Sequence, residues 1–329
     1  MKAAFIRATG APDVIQIDDL PVRQAGPGEV LVRVTAVALN PIDTYIRSGE
    51  VEMPLPEPYI IGCDLAGTVE KIGKDVTRFE VGERVWGSNQ GVAGRQGTFA
   101  EFATVHEDWL YETPDNVSDE DAAACALTAL TAHLGLSDAG MGSDDVLFVN
   151  GGSGGVGSMV LQMGKAIGCT VIATAGSDER VAACRELGAD LAINYKTSDV
   201  AAAVAEFAED GIDVHWECSR EPDFATSIGM MAERGRLIVM AGRDAAPAFP
   251  VGPFYVKGCS LHGFVIFKFS AEVQQESASD INAWLAAGKL KAKIDRVMPL
   301  DQAAEAHRLQ EENTLHGAGT VSGKIILKP

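Results

Sequence analysis

Short apolar and alternating runs broken by Gly and Pro fill the first third of the chain: Val30-Leu31-Val32-Arg33-Val34, Ala66-Gly67-Thr68-Val69-Glu70-Lys71-Ile72 and Arg84-Val85-Trp86. Period-two runs of this kind predict strands, and their number predicts a β-rich, barrel-like domain. From Asp145 the pattern changes. Val146-Leu147-Phe148-Val149 is a continuous apolar run, a glycine cluster follows, and Val156, Val160, Met163 and Ile167 then recur at helical spacing. That succession reads as strand, loop and helix. The unit repeats: Thr170-Val171-Ile172-Ala173 precedes a helical stretch stopped at Gly188, and Leu191-Ala192-Ile193 precedes another over about 198–209. Ile212 to Trp216 and Arg236 to Met240 are two more strand signals, flanking an amphipathic segment with Phe224, Ile228 and Met231. Strands alternating with helices predict a parallel doubly wound sheet, so the expected class is α/β. Beyond Gly263 the pattern gives a helix through Leu285, a strand near Ile294, a helix opening at Asp301 and a closing strand from Lys324 to Leu327.

The length of 329 residues suits two domains, and 47% hydrophobic against 22% charged residues is a globular composition, which removes disorder as an account. With 27 Lys and Arg against 46 Asp and Glu, the formal charge of -19 repels phosphate backbones and anionic bilayers, so no nucleic-acid or membrane partner is expected. Cys63, Cys125, Cys169, Cys184, Cys218 and Cys259 are scattered without a C-x-x-C pair, which implies reduced thiols and a cytoplasmic location. The apolar stretch Ala3 to Ile6 is closed by Arg7, too early for a signal peptide, and Ala122 to Ala132 is too short to span a bilayer.

Gly152-Ser153-Gly154-Gly155-Val156-Gly157 fits G-x-G-x-x-G after a predicted strand and at the opening of a predicted helix. Glycines allow the tight turn and let backbone amides approach a pyrophosphate, whose charge the helix N-terminus favours. The bland alternative is a flexible βα turn. Sites for NAD usually carry an acidic residue on the ribose hydroxyls about 20 residues beyond the loop. Here the place is held by Ala175-Gly176-Ser177, with Arg180 nearby. A 2′-phosphate meets no carboxylate there, and Ser177 and Arg180 can donate to it, so NADP(H) is the expected cofactor. Asp178 and Glu179 leave a second reading open, in which they favour a helix first turn and Arg180 is a solvated charge.

The order of parts resembles the medium-chain dehydrogenase/reductase superfamily, in its zinc-independent, zeta-crystallin-like NADPH:quinone oxidoreductase branch. The resemblance spans nearly the whole chain. It rests on Asn40-Pro41-Ile42-Asp43-Thr44-Tyr45-Ile46-Arg47-Ser48-Gly49, Gly62 to Gly67, Leu130-Thr131-Ala132, the glycine loop with Gln162 and Lys165, Ile193-Asn194-Tyr195 and Ser322-Gly323-Lys324. It implies a GroES-like catalytic domain over 1–122 and 266–329 and a Rossmann domain over 123–265, with the cofactor in the cleft. It also implies a homodimer. In the zinc-dependent relatives the positions of Asn40 and of Cys63-Asp64 carry metal ligands; the residues here form a poor ligand set, and no four-cysteine lobe lies between Trp86 and Phe102, so no zinc is expected.

The same resemblance implies that Asn40 and Tyr45 line the substrate pocket and can hydrogen-bond a carbonyl oxygen as charge develops. A packed tyrosine with a satisfied hydroxyl is the alternative for Tyr45. Thr131 would approach the nicotinamide ribose or carboxamide, or else bond its own helix backbone. Tyr195 and Arg180 would complete the adenosine-phosphate pocket, and Gly242 and Phe264 are further implied cofactor positions. Lys324 would reach the cofactor from the last strand, or be a solvated edge charge. Glu217-Cys218-Ser219-Arg220 departs from the branch pattern, and Phe264 to Phe267 reads either as a lid over a planar substrate or as an interface strand. The six histidines show no helical metal spacing. The implied activity is hydride transfer from NADPH to a quinone, with reduction of an enone or enoyl C=C bond as the alternative and a non-enzymatic NADPH-binding role as a third.

Overall fold

A computed structural model describes residues 1–315 and 317–329, so His316 lies outside the described residues. The chain forms two compact units, Met1–Leu127 with Phe269–Pro329, and Thr128–Lys268. The sequence placed these breaks a few residues earlier, at 122/123 and 265/266. Two contacts explain the shift: the Leu127 amide donates to Asp64 Oδ2, and Gln274 Nε2 donates to the Phe269 carbonyl, which tie both flanks to the first unit.

The first unit opens with β1 (Lys2–Ile6), β2 (Gln16–Asp19) and β3 (Glu29–Ala38). Next come α1 (Pro41–Ser48), β4 (Tyr59–Ile60), β5 (Leu65–Ile72), β6 (Arg84–Gly87), β7 (Phe102–His106) and β8 (Leu110–Glu112). β3 pairs antiparallel with both β5 and β7, and residues on both of its faces are buried, which blurs its alternation. α1 is closed at both ends by local chemistry. Asn40 and Asp43 form a capping box, Pro41 takes the first helical position, and Gly49 ends the helix at φ 91°. α2 (Asp119–Asp138) leads out of this unit.

In the second unit β9 (Val146–Asn150), α3 (Gly155–Ile167), β10 (Thr170–Ala175), α4 (Asp178–Glu186), β11 (Leu191–Asn194) and α5 (Val200–Phe207) follow the predicted rhythm. β12 (Ile212–Glu217), α6 (Phe224–Met230), β13 (Met231–Val239), α7 (Val251–Val256) and β14 (Ser260–Gly263) complete it. The strand order β11-β10-β9-β12-β13-β14 is all parallel, and its direction reverses between β9 and β12. Phe148, Ile172, Ile193, Val204, Ile212, Ile228, Met231 and Leu237 fill its core, each large side chain contributing about 1.5–3 kcal/mol by burial. β14 ends before Phe264, so the segment 264–267 is not a strand. It runs instead into a helical turn at Ile266–Lys268.

The chain then returns to the first unit through α8 (Ala271–Ala286), β15 (Ile294–Pro299), α9 (Ala303–Leu315) and β16 (Lys324–Lys328). β16 joins the large sheet between β15 and β3. Buried Arg47 of α1 pairs with Glu311 of α9, so the helix carrying Tyr45 is held at its C-terminal end as well as at its cap.

Candidate active site

The glycine loop turns from β9 into α3 at the point where strand order reverses, the place where doubly wound sheets bind ligands. Its glycines are required by contact as well as by conformation. A Cβ on Gly157 would lie 2.2 Å from the Gly151 carbonyl oxygen, and one on Gly152 would lie 2.7 Å from the Ala173 methyl. Gly154 caps the helix with extended backbone, and the first helical bond runs from the Ser158 amide to the Gly154 carbonyl, 2.9 Å. The amides of Gly155, Val156 and Gly157 precede that bond and point out of the helix end. Ser153, Gly154 and Gly155 are not buried, so an anion can reach them. This is a cradle that fits a dinucleotide pyrophosphate.

The expected adenosine-side residues gather at the ends of β10 and β11. The Tyr195 hydroxyl lies over Gly176, so close that a Cβ there would be 2.6 Å from it. Ser177 caps α4, its hydroxyl accepting from the Arg180 amide at 3.3 Å, and Arg180 is half-buried in the first helical turn. The Asp178 carboxylate accepts from Asn194 Nδ2 at 2.7 Å. Phe264 packs edge-on against Trp216 with centroids 6.0 Å apart. Gly242 adopts φ 81°, and a Cβ there would meet the Arg220 carbonyl at 2.8 Å. Thr131 is buried within α2.

In the first unit the structure brings Asn40 and Lys324 together. Lys324 Nζ donates to Asn40 Oδ1, and Asn40 Nδ2 donates to Asp64 Oδ2 at 2.7 Å. Asp64 also accepts from Ser88 Oγ at 2.7 Å and from the Leu127 amide at 3.3 Å. The Asn40 amide is bonded by Asp43 Oδ2 at 2.8 Å. Asn40, Asp43 and Asp64 are fully buried and Lys324 is 7% exposed, so Lys324 is no edge charge. Burial and the Asp64 charge push Asp43 up to about 7. Burial likewise raises Asp64, which Lys324 pulls back, and lowers Lys324, which Asp64 and Asp43 pull back. Cys63 is pushed well above the usual thiol range by burial and by Asp43 and Asp64. These residues do not fit a zinc ion: the Asp64 oxygens are taken by three donors, Asn40 stands in place of a thiolate or imidazole, and its side-chain oxygen is bonded by Lys324. Tyr45 sits half-buried on α1, five residues beyond the cap that this cluster fixes.

Sequence reasoning missed Asp43 and Asp64 as partners of Asn40, Ser88 as a partner of Asp64, and Asn150, Thr174 and Glu217 at the strand ends. Glu217 is buried and accepts from Asn150 Nδ2 at 2.8 Å, a role that the unassigned segment Glu217 to Arg220 gave no sign of.

Residues 26–115 match the family of alcohol dehydrogenase GroES-like domains and residues 155–282 the family of zinc-binding dehydrogenases. A pig quinone oxidoreductase is 31% identical over 330 residues, covering 99% of this chain and 97% of that protein. A tomato 2-methylene-furan-3-one reductase is 30% identical over 338 residues, covering 100% of this chain and 79% of that one. Among solved structures, an NAD-dependent alcohol dehydrogenase superposes with TM-score 0.88 at 31% identity, with 100% of both chains covered. A mycobacterial protein complexed with NADPH superposes with TM-score 0.84 at 29% identity, again over 100% of both chains.

Proposed function

Because the chain belongs to the quinone oxidoreductases of the medium-chain dehydrogenase/reductase superfamily, an oxidoreductase family, we propose that it is an NADPH-dependent, zinc-independent quinone reductase. The observation that carries the dinucleotide reading is the glycine cradle at the strand-order reversal, where Gly157 touches the turn too closely for any side chain. NADPH over NADH is supported by the absence of an acidic residue at Ala175-Gly176-Ser177, by Arg180 beside it, and by the NADPH complex of the mycobacterial relative. Zinc independence is supported by the occupied donor set around Asp64.

Bound NADPH supplies a hydride, and with one proton the quinone becomes a hydroquinone and the cofactor NADP⁺. The chain's own residues bind and orient. The glycine-loop amides take the pyrophosphate, while Ser177, Arg180 and Tyr195 surround the 2′-phosphate and adenosine. Thr131, Gly242 and Phe264 serve the nicotinamide side. Asn40 and Lys324 act as a pair: their bond holds the α1 cap, and α1 presents Tyr45, whose hydroxyl hydrogen-bonds the substrate carbonyl and delivers the proton, directly or from water.

Absorbance at 340 nm tests this with chelator-treated protein, NADPH or NADH, and either an ortho-quinone or an α,β-unsaturated ketone. Quinone-dependent NADPH loss that survives chelation is the expected result. Preference for the enone is the second reading, favoured by the full-length similarity to the tomato reductase. Loss of activity on chelation overturns zinc independence. The exposed edge strand β14, with exposed Leu261, and exposed Tyr255 and Val256 on α7 support a homodimer, which light scattering measures. The six free cysteines support a cytoplasmic location. Among the described residues no helix is long and apolar enough to cross a membrane.

A further inference from the structure

One continuous hydrogen-bond chain bridges β9 and β12 across the point where strand order reverses, and the reaction described above makes no use of it. The Gly151 amide donates to Thr174 Oγ1 at 3.1 Å, and that hydroxyl donates to Asn150 Oδ1 at 2.7 Å. Asn150 Nδ2 donates to Glu217 Oε1 at 2.8 Å, and the same oxygen accepts from the Ser219 amide at 2.6 Å. The direction of each bond is set by its neighbour. Thr174 has one hydroxyl hydrogen and directs it to Asn150, so the Asn150 oxygen faces Thr174 and its NH2 faces Glu217. His215 Nε2 stands 3.4 Å from Glu217 Oε2 without hydrogen-bond geometry, so every polar neighbour named here offers Glu217 a nitrogen rather than an oxygen. Glu217 and Thr174 are buried, and the chain ends on backbone amides of the two loops that flank the reversal, at Gly151 and at Ser219.

In a doubly wound sheet the first three strands serve the adenosine half of a dinucleotide and the second three the nicotinamide half. β12 is the first strand of that second half. A carboxylate fixed at its C-terminal end places a negative charge on the nicotinamide side, where the ring is neutral when reduced and cationic when oxidised. We propose that Glu217 is a positioning residue of the cofactor site that holds the glycine loop through Asn150 and Thr174 and, by its charge, favours NADP⁺ over NADPH. This rests on the dinucleotide reading above.

Equilibrium titration of NADPH and NADP⁺ into wild type, Glu217→Gln and Asn150→Ala tests it, with melting temperature as the control for folding. Glu217→Gln keeps an acceptor at Oε1 and removes the charge, so the Kd for NADP⁺ is expected to rise about tenfold and that for NADPH less than about twofold. Asn150→Ala breaks the chain and keeps the charge, so both values are expected to rise together, by about tenfold. Equal shifts for the two forms in Glu217→Gln, or unchanged binding in Asn150→Ala, overturn the proposal. If Glu217→Gln does not fold, Glu217→Asp carries the test: both affinities weaken with their ratio kept, and an altered ratio overturns it. Wild-type protein that binds neither form overturns the cofactor reading itself; wild type that binds both, with variants failing as above, overturns only this step.

Discussion

Two buried polar chains organise the two units, and they differ in where they end. In the first unit Lys324, Asn40, Asp64 and Ser88 are linked inside the fold, with one lysine facing the buried carboxyl groups of Asp64 and Asp43 and every member buried. In the second, the chain from Gly151 to Ser219 starts and stops on loop amides, and its single carboxylate meets neutral donors and a nearby histidine. A sealed cluster must balance its own charges, because desolvation penalises each one left unpaired. A chain that opens onto loops can leave a charge for a ligand to complete. The first therefore holds the cap of the helix that carries Tyr45, whereas the second joins the two loops on which the proposed cofactor site depends.

The comparison breaks most visibly if the sealed cluster is unbalanced. Asp64→Ala leaves Asn40 Nδ2 and Ser88 Oγ without their shared acceptor and removes a buried charge that offsets Lys324, and denaturant unfolding is expected to show a loss of about 3–5 kcal/mol. A loss below about 1 kcal/mol would mean that the cluster is not balanced by Asp64 at all. Next in size is Gly157→Ala, whose methyl would meet the Gly151 carbonyl. Displacing the helix end by that amount is expected to lower NADPH-dependent turnover about a hundredfold. Turnover near wild type would show that cofactor binding does not need this close approach.

How much of this was legible in the sequence follows from how far apart the interacting residues lie. The strand, glycine loop and helix from Val146 to Ile167 are contiguous, so one apolar run and one motif announce them. The Gly176, Ser177 and Arg180 group lies in a single βα turn and was equally readable. Asn40, by contrast, bonds residues 24 and 284 positions away, and Asn150 bonds one 67 positions away. No local pattern encodes such pairings, and so Asn40 and Lys324 were singled out without the bond that joins them. α7 escaped because its residues are exposed on several sides and show no helical stripe. The division inside α2 escaped because a single bond from Leu127 to Asp64, and no change in composition, decides it.

Within the open region, Arg180→Ala separates the two readings of that side chain. As a partner of the 2′-phosphate its loss is expected to raise the KM for NADPH about tenfold or more and to leave that for NADH unchanged. Equal effects on the two cofactors would return Arg180 to the surface.

The smallest expected effect lies in the sealed region, and its sign is specific. Asp43 has an ordinary value of 3.8 and is pushed up to about 7, first by burial and then by the Asp64 charge. Between those two values the folded protein holds a proton that the unfolded chain has released, so the stabilising contribution is complete below the lower value and lost as pH rises through the upper. Asp43→Asn keeps an oxygen for the Asn40 amide and removes the titration. The stability of the wild type relative to Asp43→Asn is therefore expected to fall by on the order of 1 kcal/mol from pH 6 to pH 8. Lys324, lowered by burial, contributes with opposite sign and is common to both proteins, so the comparison isolates Asp43. Parallel curves across that window would show that Asp43 does not share the sealed charge, and the contrast between the two chains would then rest on Asp64 and Lys324 alone.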